Sequence, residues 1–209
     1  MDLTKYSLTI EEFIDYYQYL PVADTRSPDK LMNGYVRGSI TIPDNANLEK
    51  WIHKLIGQNQ DFLLVDDHDN IEQTLNNLHT ETLQNIKGFL RVGIEGWIKA
   101  EQPMDMLISI DIEELTLDFK HDNDIKLLDV RSKEDYGKGH LKNAINMPIE
   151  NLENHLNYFS TDDKLYVYSQ DGKESVIAVS LLRRHGYYYS RNIEPGFVDL
   201  QDTEITIVR

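Results

Sequence analysis

Short apolar runs alternate along the chain with stretches of helical spacing, and the whole alternation occurs twice. In the first half, Pro21–Thr25, Ser39–Ile42, Asp61–Val65 and Asn85–Leu90 read as strands, being rich in β-branched and aliphatic residues and bounded by polar ones. Ser7–Ile14 reads as a capped helix, with Ser7 or Thr9 as N-cap and Glu11 or Glu12 in its first turn. Arg26–Lys30 reads as a turn into a short helix, followed by Gly34–Gly38. Leu48, Trp51, Ile52, Leu55 and Ile56 share one helix face. The strand at Asp61–Val65 feeds a polar loop, Asp66–Asn70, and a helix over Ile71–Leu78; Gly93–Trp97 starts a further short helix. Trp51 and Trp97 are expected in the core.

Glu101–Asp105 reads as a linker, dividing the chain into residues 1–103 and 104–209. Beyond it the pattern restarts. Ser109–Leu115 repeats the capped-helix opening, and Lys126–Asp129, Ala144–Met147 and Leu165–Tyr168 read as strands. Leu152, Leu156 and Phe159 suggest a helix. After Tyr168 comes a polar loop, Ser169–Ser175, then a helix opening with Val176 and ended near His185 by Gly186. Asn192–Leu200 closes the pattern.

The two halves can be put in register. Asp24, Arg26, Gly34 and Pro43 each lie 105 residues before Asp129, Arg131, Gly139 and Pro148, and Gly93 lies 103 before Gly196. Two copies of one strand–helix unit imply two α/β domains with largely parallel sheets and helices on their faces. Ligands of such sheets bind at the carboxyl ends of the strands. The loops Asp66–Asn70 and Ser169–Ser175 both lie at such ends. A strand running through a loop into a helix leaves amides unpaired and makes an anion cradle.

Composition narrows the chemistry. The chain has 209 residues, a formal net charge of −15 and no cysteine. The charge argues against nucleic acid and anionic membrane as partners, since both need a basic face. The absence of cysteine excludes disulfides, thiolate metal sites and cysteine nucleophiles. No apolar run approaches the roughly 18 residues of a membrane span. The N-terminal residues lack the apolar core of a signal peptide, so a cytoplasmic location is the default expectation. No cofactor and no metal site are expected. Asp66, Asp67, His68 and Asp69 are better read as carboxylates placed favourably at a helix N-terminus than as ligands of a hard cation. Tyr187–Tyr189 and Tyr16–Tyr19 offer core packing and, where exposed, protein contact.

Several segments together carry a family likeness. Leu128, Asp129, Val130 and Arg131, then Glu134–Tyr136, then Gly139–Pro148, then the strand–loop–helix at Tyr168 and Glu194–Phe197 resemble the rhodanese-like domain. The first copy resembles a more divergent member through Asp24–Ser27, Gly34–Pro43 and Gly93–Trp97, and the two copies cover nearly the whole chain. The pairing also resembles the tandem rhodanese region that follows the metallo-β-lactamase-fold domain of persulfide dioxygenase-like proteins. The resemblance implies two five-stranded, mostly parallel sheets with helices on both faces. It implies sulfurtransferase chemistry, in which a loop cysteine takes a sulfane sulfur from thiosulfate or a persulfide and passes it on. A thiolate ringed by amides at a helix N-terminus beside an arginine has a lowered pKa and can hold a persulfide. The resemblance further makes Asp129 and Arg131, and Asp24 and Arg26, fold-stabilising charge-assisted pairs, and makes Gly139 and His140 structural.

The family loop reads Cys-x-x-Gly-x-Arg-Ser, and here its positions are Ser169, Gln170, Asp171, Gly172, Lys173, Glu174 and Ser175. Serine replaces the cysteine and glutamate the arginine. A serine hydroxyl cannot carry a persulfide and is a weak nucleophile without a base. The second exchange moves local charge by about two units against an anionic substrate. The first copy has no cysteine either. The expectation is a catalytically inactive tandem rhodanese-like protein, a binding or regulatory module linked to sulfur or persulfide metabolism, with a protein partner or small anion as ligand and an open oligomeric state. The alternatives are a sulfurtransferase component that relies on a partner's cysteine, or another anion-directed activity on the same fold, such as phosphate-ester hydrolysis.

Overall fold

The computed structural model describes residues 2–43, 47–194, 196–200 and 206–209. The chain divides into two units, Met1–Met106 and Leu107–Arg209.

In the first unit the elements run β1 (Ser7–Leu8), α1 (Ile10–Tyr17), β2 (Val22–Asp24), α2 (Pro28–Leu31), β3 (Tyr35–Val36), β4 (Ile40–Thr41), α3 (Leu48–Leu55), β5 (Phe62–Val65), α4 (Ile71–Asn76), α5 (Thr80–Asn85), β6 (Ile86–Leu90), α6 (Gly93–Lys99) and β7 (Met104–Asp105). Five of the strands form a parallel sheet in the order β1-β6-β5-β2-β4. The second unit runs β8 (Ser109–Ile110), α7 (Ile112–His121), β9 (Ile125–Asp129), α8 (Lys133–Lys138), β10 (His140–Leu141), β11 (Ile145–Asn146), β12 (Lys164–Tyr168), α9 (Lys173–Arg184), β13 (Arg191–Ile193), α10 (Phe197–Leu200) and β14 (Ile207–Val208). Its five-stranded parallel sheet has the order β11-β9-β12-β13-β8. No helix among the described residues is long and apolar enough to cross a membrane.

The central strands Phe62–Val65 and Leu165–Tyr168 are buried throughout, as strands covered on both faces must be. Trp97 and Trp51 are core residues, at 0% and 3% exposure. Of the two N-cap candidates of the first helix, the structure uses Thr9, with Glu11 and Glu12 in the first turn. Thr9 and Glu12 form a reciprocal capping box at α1, and Asp111 and Glu114 form one at α7.

The repeat extends to backbone hydrogen bonds. Ile42 N–H donates to the Asp24 carbonyl at 2.8 Å, and Met147 N–H to Asp129 at 2.9 Å. Thr25 N–H donates to Val65 and Val130 N–H to Tyr168; Arg37 N–H donates to Pro103 and Lys142 N–H to Thr206. Gly38 and Asn143 are equivalent, and both take a left-handed conformation, φ +75° and +67°.

Several expectations are corrected. The last two residues of the expected linker, Met104 and Asp105, form β7 and pair antiparallel with Tyr35–Val36. The stretch around Leu152, Leu156 and Phe159 is not an α-helix but 3₁₀ turns, Ile149–Asn151 and Glu153–Tyr158. Asn85 ends helix α5 rather than starting a strand. The helix after Tyr168 begins at Lys173, so Lys173, Glu174 and Ser175 belong to its first turn and the loop proper is Ser169–Gly172. It ends as expected, with Gly186 left-handed at φ +91°. Of the closing segment, Pro195 lies outside the described residues.

Gly38 has open space where a Cβ would stand, so a side chain there meets only the backbone's cost. Gly38→Val is expected to lower the stability of the first unit by about 1–2 kcal/mol. Gly38→Asn should cost less, because Asn143 already adopts this geometry. Urea unfolding of the three proteins checks the order.

Candidate functional site: the loops after the central strands

At the end of β9 the chain must turn away from the sheet, and a buried ion pair makes it do so. The Asp129 carboxylate, 0% exposed, accepts from the backbone N–H of Arg131 at 3.0 Å, from its Nε at 3.0 Å and from its terminal nitrogen at 2.6 Å. The same terminal nitrogen donates to the Gly139 carbonyl at 2.8 Å. The guanidinium lies 3.7 Å from the centre of the Phe197 ring. Burial works against the charge on Arg131, but Asp129 outweighs it and holds the guanidinium pKa above its ordinary value. The first unit repeats the arrangement. Asp24 accepts from Arg26 Nε at 2.9 Å and its terminal nitrogen at 2.6 Å, and Arg26 donates to the Gly34 carbonyl at 3.1 Å. His140 is half-buried, stacks on Tyr136 at 3.6 Å between ring centres, and bonds the Tyr136 carbonyl through Nδ1 at 3.0 Å.

Beside this pair, Tyr168 delivers the chain into the loop. Burial, followed by the nearby Asp129 charge, pushes the Tyr168 phenol pKa upward, so it stays neutral and receives the Leu141 amide at 3.1 Å. Ser169 is fully buried. Its Oγ lies 3.2 Å from Ser175 Oγ, and Ser175 donates to the Gly172 carbonyl at 2.9 Å. Gly172 takes φ +80° to turn the loop into α9. The closing segment is laid over the loop: Phe197 N–H donates to the Ser169 carbonyl at 2.8 Å and Val198 N–H to Gln170 at 3.2 Å. A Cβ on Gly196 would stand 2.5 Å from the Gln170 carbonyl oxygen, so only glycine allows this approach.

One amide of the cradle is taken up by the chain itself. Asp171 accepts from the Lys173 amide at 3.2 Å and pairs with Lys173 Nζ at 2.8 Å. Burial works to raise the Asp171 pKa, but Lys173 and the amide lower it on balance, so the carboxylate is charged. An acid of the chain thus takes up an amide at the positive end of α9, and half-buried Glu174 adds a second negative group in the first turn. Gln170 is tied to Arg131 at 3.2 Å. His185 pairs with Glu153 at the other end of α9, roughly 18 Å along the helix at 1.5 Å per residue, too far to serve Ser169 as a base.

In the first unit Asp66 follows β5 at the position of Ser169. It is 5% exposed and accepts from the Asp67 amide at 2.7 Å and from the Thr74 hydroxyl. Asp67 pairs with Lys30 at 2.6 Å, while His68 and Asp69 are exposed. Among the described residues no cluster of His, Asp or Glu is arranged to hold a metal ion. Neither Thr74 nor Gly196 announces its contact in the sequence, because each partner lies on another element.

The doubled strand–loop–helix beside a buried Asp–Arg pair defines an α/β protein of the sulfurtransferase fold. The profile described as Rhodanese-like domain matches residues 9–100 and 112–203, and the chain belongs to that family, twice over. It is 25% identical over 114 residues to the Bacillus subtilis (strain 168) protein named "Putative sulfur carrier protein YrkF", an overlap of 54% of this chain and 60% of that one. It is 33% identical over 72 residues to "Uncharacterized protein YqhL" of the same strain, covering 34% of this chain and 57% of that one. It is 34% identical over 84 residues to "Adenylyltransferase and sulfurtransferase uba4" of Ogataea parapolymorpha, covering 34% and 21%. The chain thus spans about three-fifths of the length of the two bacterial relatives. Among solved structures, a rhodanese-like domain protein from Staphylococcus aureus aligns at 25% identity over 49% of this chain and 100% of that one, with a TM-score of 0.45.

Two outcomes follow from this geometry. Asp129→Ala leaves Arg131 buried and unpaired, and is expected to cost the second unit about 3–5 kcal/mol in urea unfolding. Burial raises the Asp66 pKa above its ordinary 3.8, with Thr74 and the Asp67 amide opposing. A raised acid favours the fold below the ordinary value, and that contribution is lost as pH rises through the folded-state value. Asp66→Asn should therefore gain stability relative to the parent as pH is raised from about 3 to 7. Melting curves at both ends of that range check it; a variant that loses stability relative to the parent toward neutrality would contradict it.

Proposed function

We propose that this chain is a non-catalytic tandem rhodanese-like protein that serves sulfur or persulfide metabolism as a binding or regulatory module. The observation that carries the reading is Ser169: the position of the sulfur-bearing cysteine holds a fully buried hydroxyl tied to Ser175, and among the described residues no base is hydrogen-bonded to it. Support comes from the charge around it, where Asp171 already takes the Lys173 amide and Glu174 stands in the first turn. The other copy places a buried carboxylate, Asp66, at the same point. The link to sulfur metabolism rests on the family and on relatives named as a sulfur carrier and a sulfurtransferase. The tandem arrangement also resembles the one that follows the metallo-β-lactamase-fold domain in persulfide dioxygenase-like proteins, which fits a role beside persulfide chemistry.

Transfer of sulfur from thiosulfate or a persulfide to cyanide by the purified chain is expected to match the buffer blank. Turnover well above it would overturn the reading. Ser169→Cys with Glu174→Arg should restore loading. The new thiolate would attack the sulfane sulfur of thiosulfate and release sulfite, and intact-mass spectrometry should show one added sulfur atom. No added mass would mean that the surrounding cradle has also been lost.

A further inference from the structure

The second unit has a cleft that the loop chemistry does not use. It lies between the end of α7, the start of β9 and the turn at Lys142–Asn143, and has a volume of about 480 Å³. Ligand pockets for small molecules fall at about 300–1,000 Å³. Its floor is apolar: Leu127 is buried, and Phe119 and Ile125 are half-buried. Its rim carries two ammonium groups, Lys120 and Lys142. Neither makes an ion pair among the described residues, whereas Asp122, the acid in the cleft, is already paired with Lys164. Two cations with no ion pair among the described residues, over an apolar floor, stand out on a chain of net charge −15.

The first unit supplies an internal control. By the register of the matched hydrogen bonds, Phe119, Lys142, Thr206 and Leu200 occupy the places of Tyr17, Arg37, Pro103 and Trp97. In the first unit the corresponding side chains are tied down. Tyr17 donates its hydroxyl to the Arg37 carbonyl at 2.8 Å, the Arg37 guanidinium donates to the Met104 carbonyl at 3.1 Å, and the Trp97 indole donates to Pro103 at 3.0 Å while packing edge-on against Tyr17. In the second unit phenylalanine removes the hydroxyl, leucine replaces the indole and lysine replaces the anchored guanidinium. The backbone is the same and the space is open. The lip carries Asn143 in a left-handed conformation where the first unit has Gly38, so a side-chain amide borders the cleft at some cost in backbone strain.

We propose that this cleft binds a small organic anion with an apolar body, such as an aryl or acyl carboxylate. The body lies on Phe119, Ile125 and Leu127, and the anionic head sits between Lys120 and Lys142. The site is separate from the loop after Tyr168 and does not rest on the reading of that loop.

The test uses 2-naphthoate as probe and the neutral 2-naphthamide as control, followed by amide chemical-shift mapping of the full chain. Saturable shifts by naphthoate are expected at residues 116–127 and 142–143, with binding at least tenfold weaker for naphthamide. The Lys120→Gln/Lys142→Gln variant changes only exposed groups, and should weaken naphthoate at least tenfold while leaving the melting temperature unchanged. Leu200→Trp, which restores the first unit's packing residue, should also weaken binding; where it does not fold, the lysine variant still decides. Absence of saturable shifts, or shifts that ignore probe charge and both lysines, would overturn the proposal.

Discussion

Both units hang on a buried aspartate–arginine pair at the carboxyl end of the strand beside the central one, β2 or β9. Desolvating two charges is expensive, and such a pair holds only where hydrogen bonds satisfy both partners. Here they do: each carboxylate accepts from the arginine side chain and backbone, and each guanidinium reaches the carbonyl of a glycine eight residues on. The pair therefore sets two things at once. It fixes the turn that takes the chain off the sheet, and it clamps the returning segment at Gly34 or Gly139 against that turn. The loops that would carry chemistry are neighbours of this clamp, joined to it in the second unit only through the Gln170 side chain among the bonds described. A fold organised in this way keeps its shape when the loop's reactive residues change.

That separation explains how one architecture can hold two loops of different chemistry. A helix N-terminus facing a loop carries a partial positive charge that favours a negative group. In the second unit Asp171 supplies that group from within, and in the first a buried Asp66 stands at the strand end, bonded to Thr74. The electrostatic demand of the scaffold is met by the chain's own carboxylates. An external anion would have to displace an acid already bonded to the Lys173 amide and would face Glu174 as it approached.

The parts legible in the sequence are those in which one residue's chemistry acts within its own neighbourhood. The long central strands, the capped openings of α1 and α7, the stop at Gly186 and the Asp–Arg pairs two residues apart are all local. What was not legible depends on distant partners or on very short elements. Strands β1, β8 and β14 have two residues each, too few to show alternation, and exist because a neighbouring strand pairs with them. The first turn of α9 is Lys173, Glu174 and Ser175, whose polarity reads as loop although the backbone is already helical. The contact of Gly196 with the Gln170 carbonyl joins a loop to the closing segment 26 residues later. At the site, the sequence identified the missing sulfur, but not that Ser169 is fully buried or that Asp171 occupies an amide of the cradle.

The repeat makes each unit a reference for the other, and the comparison separates what the fold requires from what it merely permits. Backbone bonds such as Ile42 to Asp24 and Met147 to Asp129 agree within 0.1 Å, so the frame is common. Against that frame, side-chain differences are differences in use of space. Trp97 and Leu200 are both fully buried, so the smaller residue is no packing defect in its own layer. In the cleft along α7, Phe119 in place of Tyr17 also withdraws a hydroxyl and its hydrogen bond. Had the exchange only loosened the core, neighbouring apolar side chains would be the natural filling for the space. Instead the space is bordered by Lys120, Lys142 and Asn143, groups that do better against a polar or charged occupant than against one another.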